Sequence, residues 1–159
     1  MAAGDVHIFA QYLKNNADGT QTALWATDTI KMGIVTNTTV PAVTTADPRW
    51  GSGGTTNFST NEVTPGGNYS AGGVSLTTPT SALSGADTNL QATSPISIAA
   101  NASNPTGAYW GIFYDSTDTN KRCIGYIDLG GPLSLVSGLN ININGSGSGT
   151  QILFQGAAA

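Results

Sequence analysis

The sequence predicts an all-β fold: a jelly-roll-like β-sandwich of eight or nine short strands with a short N-terminal helix or arm. Three observations lead there. Apolar clusters recur roughly every 8 to 15 residues, separated by Gly, Pro, Asn and Asp, which is the rhythm of short strands and turns. Several clusters alternate apolar and polar residues with the two-residue period of a half-buried strand. Apolar residues make up 39% of the 159, with three Trp, five Tyr and four Phe, which is more than a solvating tail carries and enough for one sizeable core. No domain boundary stands out, so residues 1–159 are read as one domain, with 1–16 as an arm and 156–159 as a frayed tail.

The one helix candidate runs from Asp5 to Asn15. Asp5 can cap it, Ile8, Phe9, Tyr12 and Leu13 share one face, and Asn15, Asn16 and Asp18-Gly19 end it. So short a helix is marginal alone and must pack on its own sheet or on a neighbouring subunit. Thr29 to Thr36 reads as a strand, with Ile30, Met32 and Ile34 opposite Lys31. Thr36 to Gly54 is a Thr-, Asn- and Pro-containing excursion anchored by Trp50. In Asn61 to Leu76, two Gly-Gly pairs (Gly66, Gly67 and Gly72, Gly73) force turns on both sides of Tyr69. Val74 and Leu76 begin a strand, and Ile96 and Ile98 mark another behind Pro95. Ala108 to Asp115, AYWGIFYD, is nearly all apolar and predicts a central strand buried on both faces. A polar hairpin loop to Lys121 leads into a return strand, Cys123 to Leu129. Gly130 to Pro132 reads as a turn, and Leu139 to Asn144 as a strand with Leu139, Ile141 and Ile143 inward. Gly145 to Gly149 is a turn or linker, and Ile152 to Phe154 closes the fold.

Charge and chemistry narrow the function. Charged residues are 9% of the chain, against about 25% in typical domains. Five basic residues are too few for a phosphate-neutralising face, so no nucleic-acid partner is expected. Apolar runs are too short for a membrane span, and MAAGDVHIF does not read as a secretory signal. A single cysteine, Cys123, makes neither an internal disulfide nor a thiolate zinc site, and in an apolar strand it reads as a small hydrophobe. His7 lacks a marked partner for acid–base work. Asp115, Asp118 and Asp128 could serve glycoside hydrolysis or hold calcium, but Asx turns explain them without function. TPGGNYSAGG lacks the Lys-Ser/Thr ending of a phosphate loop. No catalytic residue, metal ligand or cofactor is assigned. The surface is instead uncharged and rich in Thr and Asn, which suits neutral hydrogen bonding within an assembly.

Four blocks then resemble a family of small tailed-bacteriophage virion proteins. They are DTIKMGI (Asp28 to Ile34); Glu62 to Gly73, of the form E-V-x-x-G-x-x-Y-x-A-G-G with one extra Gly; Y-D-x-T at Tyr114 to Thr117; and IGYIDLG (Ile124 to Gly130). The ending departs from the family pattern: LNININGSGSG stands where an aromatic- or Asp-containing strand is usual. The resemblance implies an all-β, non-enzymatic capsid decoration (cement) protein on the phage head, binding the major capsid protein lattice as a dimer or trimer. It implies a shaped structural loop at Glu62, Gly66, Gly67, Gly72 and Gly73. Ile8, Phe9, Tyr12, Leu13, Trp50 and Tyr69 are the candidate capsid or subunit contacts, with Tyr69 favoured as a packing anchor. The arm reading expects a chain without residues 1–16 to fold yet lose capsid binding. A tail, neck or fibre component that stacks a glycan on Trp50 is the competing reading.

Overall fold

The computed structural model describes residues 4, 6–21, 25–84, 87–92, 95–142 and 152–154. Its elements in chain order are β1 (Val6–Ile8), α1 (Ala10–Ala17), β2 (Ile30–Val35), β3 (Pro48–Arg49), β4 (Thr56–Asn57), β5 (Val74–Ser75), β6 (Pro79–Ser84), β7 (Asp87–Ala92), β8 (Ile96–Ile98), β9 (Ala108–Asp115), β10 (Cys123–Leu133), β11 (Leu139–Ile141) and β12 (Ile152–Phe154). Single 3-10 turns lie at Phe58–Asn61 and Leu135–Ser137. The chain is mostly β, with one α-helix among the described residues.

The apolar run 108–115 sits where its composition places it, inside the largest sheet. That sheet is antiparallel, ordered β1-β10-β9-β2-β5. Lys31, Gly33 and Val35 of β2 lie opposite Tyr114, Ile112 and Trp110 of β9, so these six share one face. Ile30, Met32 and Ile34 share the other with Phe113 and Asp115. Both faces are buried, as the unbroken apolar sequence requires.

The first face is covered by the excursion and the N-terminus. Trp50 stacks on Tyr114, with ring centroids 5.0 Å apart and planes within 8°. Phe9 packs on Phe58 at 5.9 Å and on Tyr126 at 5.1 Å. The remaining strands form smaller sheets, β12-β7-β6, β11-β8 and the parallel pair β3-β4. β12 runs close to β1, and β8 close to β5.

The N-terminus corrects the helix expectation. Val6, His7 and Ile8 form β1, paired with Ile127, Tyr126 and Gly125 of β10, and α1 begins only at Ala10. Pairing with β10 satisfies backbone groups and packs Val6 and Ile8 against the core, which one more turn on a short, marginal helix would not do. Phe9 holds the N-cap position with extended backbone and no side-chain cap. Asp5 lies outside the described residues.

Gly130 to Pro132 are also corrected. They do not end the strand; they lie within β10, in a bulge between Asp128 and Leu133 that contains the cis Gly131–Pro132 bond. Asn140 and Asn142 are exposed and Ile141 is buried, following the expected alternation. Ile143, Asn144, the Gly-Ser stretch and the tail 156–159 lie outside the described residues.

Candidate functional site

The block from Glu62 to Gly73 folds as a clamp on the edge of β2. Glu62 bridges Val35, and the Val63 N–H donates to the Ile34 carbonyl at 3.0 Å. Gly66 and Tyr69 exchange two backbone hydrogen bonds of 3.0 Å, closing a tight turn over Gly67 and Asn68. Tyr69 therefore points inward, 1% exposed. Its hydroxyl accepts from the Ile34 N–H at 2.9 Å and donates to Glu62 Oε1 at 2.8 Å. The same carboxylate oxygen accepts from the Gly72 N–H at 2.8 Å, and the Tyr114 hydroxyl donates to the Gly72 carbonyl at 2.7 Å. Burial pushes both tyrosine hydroxyls up from their ordinary value, and the Glu62 charge adds to it, so both stay neutral donors.

Gly73 closes this block against the sheet. It has φ +81°, and a Cβ there would overlap the Met32 carbonyl, so only glycine lets the clamp meet the sheet. The opposite end of the turn is tied by Asn104, which the sequence reading did not single out. Its Oδ1 accepts from the Asn68 N–H at 2.7 Å, and its Nδ2 donates to the Ala99 and Leu135 carbonyls at 2.8 Å. Tyr69→Phe strands the Ile34 N–H and removes one of the two donors to Glu62 Oε1. It is expected to lower stability by about 1–3 kcal/mol in urea unfolding; no change in the midpoint would mean that water replaces the hydroxyl.

The candidate contact residues fall mostly inside the molecule. Phe9, Tyr12, Trp50 and Tyr69 are core side chains, and Ile8 is half-buried. The apolar surface of these four is already covered by this chain, and Tyr69 sits as the packing anchor its place between glycine pairs favours. Leu13, 44% exposed, is the one that faces outward. Trp50 in particular offers no open ring face: it is 4% exposed, packed against Gly33 and stacked on Tyr114.

Each acidic residue weighed for chemistry closes its own turn. Asp115 Oδ1 accepts from the Thr117 and Asp118 N–H groups, Asp118 accepts from Asn120 and Arg122, and Asp128 accepts from Gly130. The Cys123 thiol is buried and pushed well up by that burial. His7 lies in β1 with its ring 5.4 Å from Tyr126. Among the described residues no three His, Cys, Asp or Glu side chains converge on a metal site, and no helix is long and apolar enough to cross a membrane.

Asp115 makes a pH prediction. Burial raises its carboxyl above 3.8, with the charges of Asp28 and Asp118 adding, against the two N–H donors. The folded state thus holds this proton more tightly than the unfolded chain. The stability it contributes is present below 3.8 and is lost as pH rises through the folded value. Asp115→Asn keeps an acceptor for the turn and is expected to melt progressively higher relative to the unmodified chain as pH rises from below 3.8 to neutrality. A pH-independent difference in Tm would count against burial as the dominant cause.

Beside the clamp lies an open groove of about 550 Å3. Its base is the edge of the Trp50–Tyr114 stack, and Ala71, Ser59, Lys31 and Lys121 rim it. Three elements meet there: the excursion, the 70–72 turn and the 115–121 hairpin loop. Compared with known proteins, the chain matches no family model, no curated protein and no solved structure.

Proposed function

We propose that the protein is a non-enzymatic structural protein of a tailed-phage virion, a capsid decoration protein that binds the assembled head lattice and stabilises it. One observation carries this reading: the residues of the four resembling blocks are spent on architecture. DTIKMGI supplies β2, the Glu62–Gly73 block makes the clamp, Tyr114 to Thr117 ends β9 in an Asx turn, and IGYIDLG lies in β10. What remains at the surface is mainly Thr, Asn, Ser and Gly, suited to neutral hydrogen bonds with a large partner.

On this reading the smaller sheets lie across from the main sheet in a jelly-roll-like sandwich, and the protein acts as a dimer or trimer on the head surface. Binding only the assembled lattice adds contact across its joints and shifts equilibrium toward the mature shell. The burial of Trp50 takes away the stacking platform of the glycan-binding alternative.

The test mixes the purified chain with shells lacking it and follows co-sedimentation, shell melting temperature and cryo-electron microscopy density. Saturable binding with a raised shell melting temperature supports the reading. Failure to bind any expanded shell, or turnover of a small molecule, overturns it.

A further inference from the structure

We propose that the groove beside the Trp50–Tyr114 stack is a socket for an acidic side chain of a protein partner, its carboxylate seated between Lys31 and Lys121. The partner's identity as a shell protein rests on the function proposed above; the socket itself rests on the distribution of charge.

The five cations divide into two sets. Lys14, Arg49 and Arg122 each hold a neighbouring aspartate, Asp18, Asp47 and Asp118. Lys31 and Lys121 hold no ion pair among the described residues, yet both rim the same groove, one from β2 and one from the hairpin loop. In a chain of net charge −4, two ammonium groups without an ion pair at one opening place there charge opposite in sign to that of the whole molecule. Positive charge at the opening attracts an anion. The Lys121 stem runs past Gly51, where an added Cβ would stand in ordinary contact with its Cδ, 3.8 Å away.

The groove also selects among anions. Trp50 and Tyr114 are 4% and 2% exposed and stack on each other, so neither offers a ring face to a sugar or a base. Lysine presents a compact point charge, which suits a carboxylate without needing the bidentate geometry of arginine. An open space of about 550 Å3 admits a side chain with its flanking backbone. These features together fit Asp or Glu on a protruding protein loop.

The experiment titrates the full chain with a short polyglutamate peptide by calorimetry or NMR, with polyglutamine and oligogalacturonate alongside. Polyglutamate is expected to bind, to weaken with added salt, and to leave polyglutamine and the sugar acid without effect. Lys31→Gln and Lys121→Gln are each expected to weaken binding about two- to fivefold, with a larger loss in the double variant and retention in Lys31→Arg/Lys121→Arg. Unchanged binding by the double glutamine variant, or binding of oligogalacturonate instead of the peptide, overturns the proposal. Shell binding separates the two ideas. Shells that bind the chain and its double glutamine variant equally overturn the socket and leave decoration standing. Lysine-dependent peptide binding by a chain that ignores all shells supports the socket and overturns decoration.

Discussion

A chain shortened by residues 1–16 is expected not to fold. β1 fills one edge of the main sheet, and the Phe9 N–H continues its ladder to the Ile124 carbonyl at 3.1 Å. Phe9 is fully buried between Phe58 and Tyr126, and Tyr12 is 4% exposed. Emptying one buried aromatic site costs about 3–5 kcal/mol. Losing two, together with the half-buried Val6 and Ile8, removes an amount comparable to the whole stability of a typical domain, about 5–15 kcal/mol. It also bares the backbone of β10, an edge open to pairing with another chain. The measurement is a thermal melt by circular dichroism with size-exclusion chromatography. A monomeric truncation with a cooperative transition within a few degrees of the full chain would show that the first strand and helix are an appendage after all. The consequence reaches the functional test: loss of shell binding by this truncation reports unfolding, and Leu13, which faces outward, is the better probe of the N-terminal surface.

The reason the arm looked detachable is physical. Ile8, Phe9, Tyr12 and Leu13 have helical spacing, but Ile8 belongs to β1, Leu13 is exposed, and only Phe9 and Tyr12 are buried. Periodicity over so short a run cannot tell a strand that turns into a helix from a longer helix, because the decisive partner, β10, lies more than a hundred residues away. The same limit hid the β6–β7 hairpin. PTSALS and DTNLQA carry little apolar alternation, and their pairing comes from register with each other and with β12. Where burial is complete the sequence was plain: AYWGIFYD lies within the main sheet, and IKMGIV beside it. Tyr69 between paired glycines was legible as an anchor in a turn, whereas its Glu62 and Ile34 partners were not. The groove was illegible altogether. Lys31 and Lys121 are unremarkable singly, and only the pairing of β2 with β9 brings them to one opening.

Gly33→Ala is expected to destabilise the chain by about 3 kcal/mol, and the sign of that effect should reverse when Trp50 is removed. Gly33 lies in the middle of β2, where alanine is ordinarily preferred by about 0.5–1 kcal/mol because it loses less backbone freedom. The glycine is there because the Trp50 indole occupies the space: an added Cβ would overlap Cη2, Cζ2 and Cζ3 of that ring. The ring has nowhere to retreat. It is 4% exposed and stacked on Tyr114, whose hydroxyl is held by the Gly72 carbonyl, and that carbonyl belongs to a clamp fastened through Glu62 and Tyr69. Trp50→Ala alone is expected to cost about 3–5 kcal/mol by emptying the site. In that background the new methyl group meets space in place of an indole, so Gly33→Ala should be neutral or stabilising, and the double-mutant cycle should show a coupling of about 3 kcal/mol. Urea unfolding of the four chains measures it. An equal penalty for Gly33→Ala with and without the tryptophan would mean that the backbone, and not the ring, demands glycine. The same cycle bears on the groove, because its base is the edge of this stack. A Trp50→Ala chain that still folds should bind polyglutamate more weakly even with Lys31 and Lys121 intact, since the wall that holds the two lysines at one opening has been loosened.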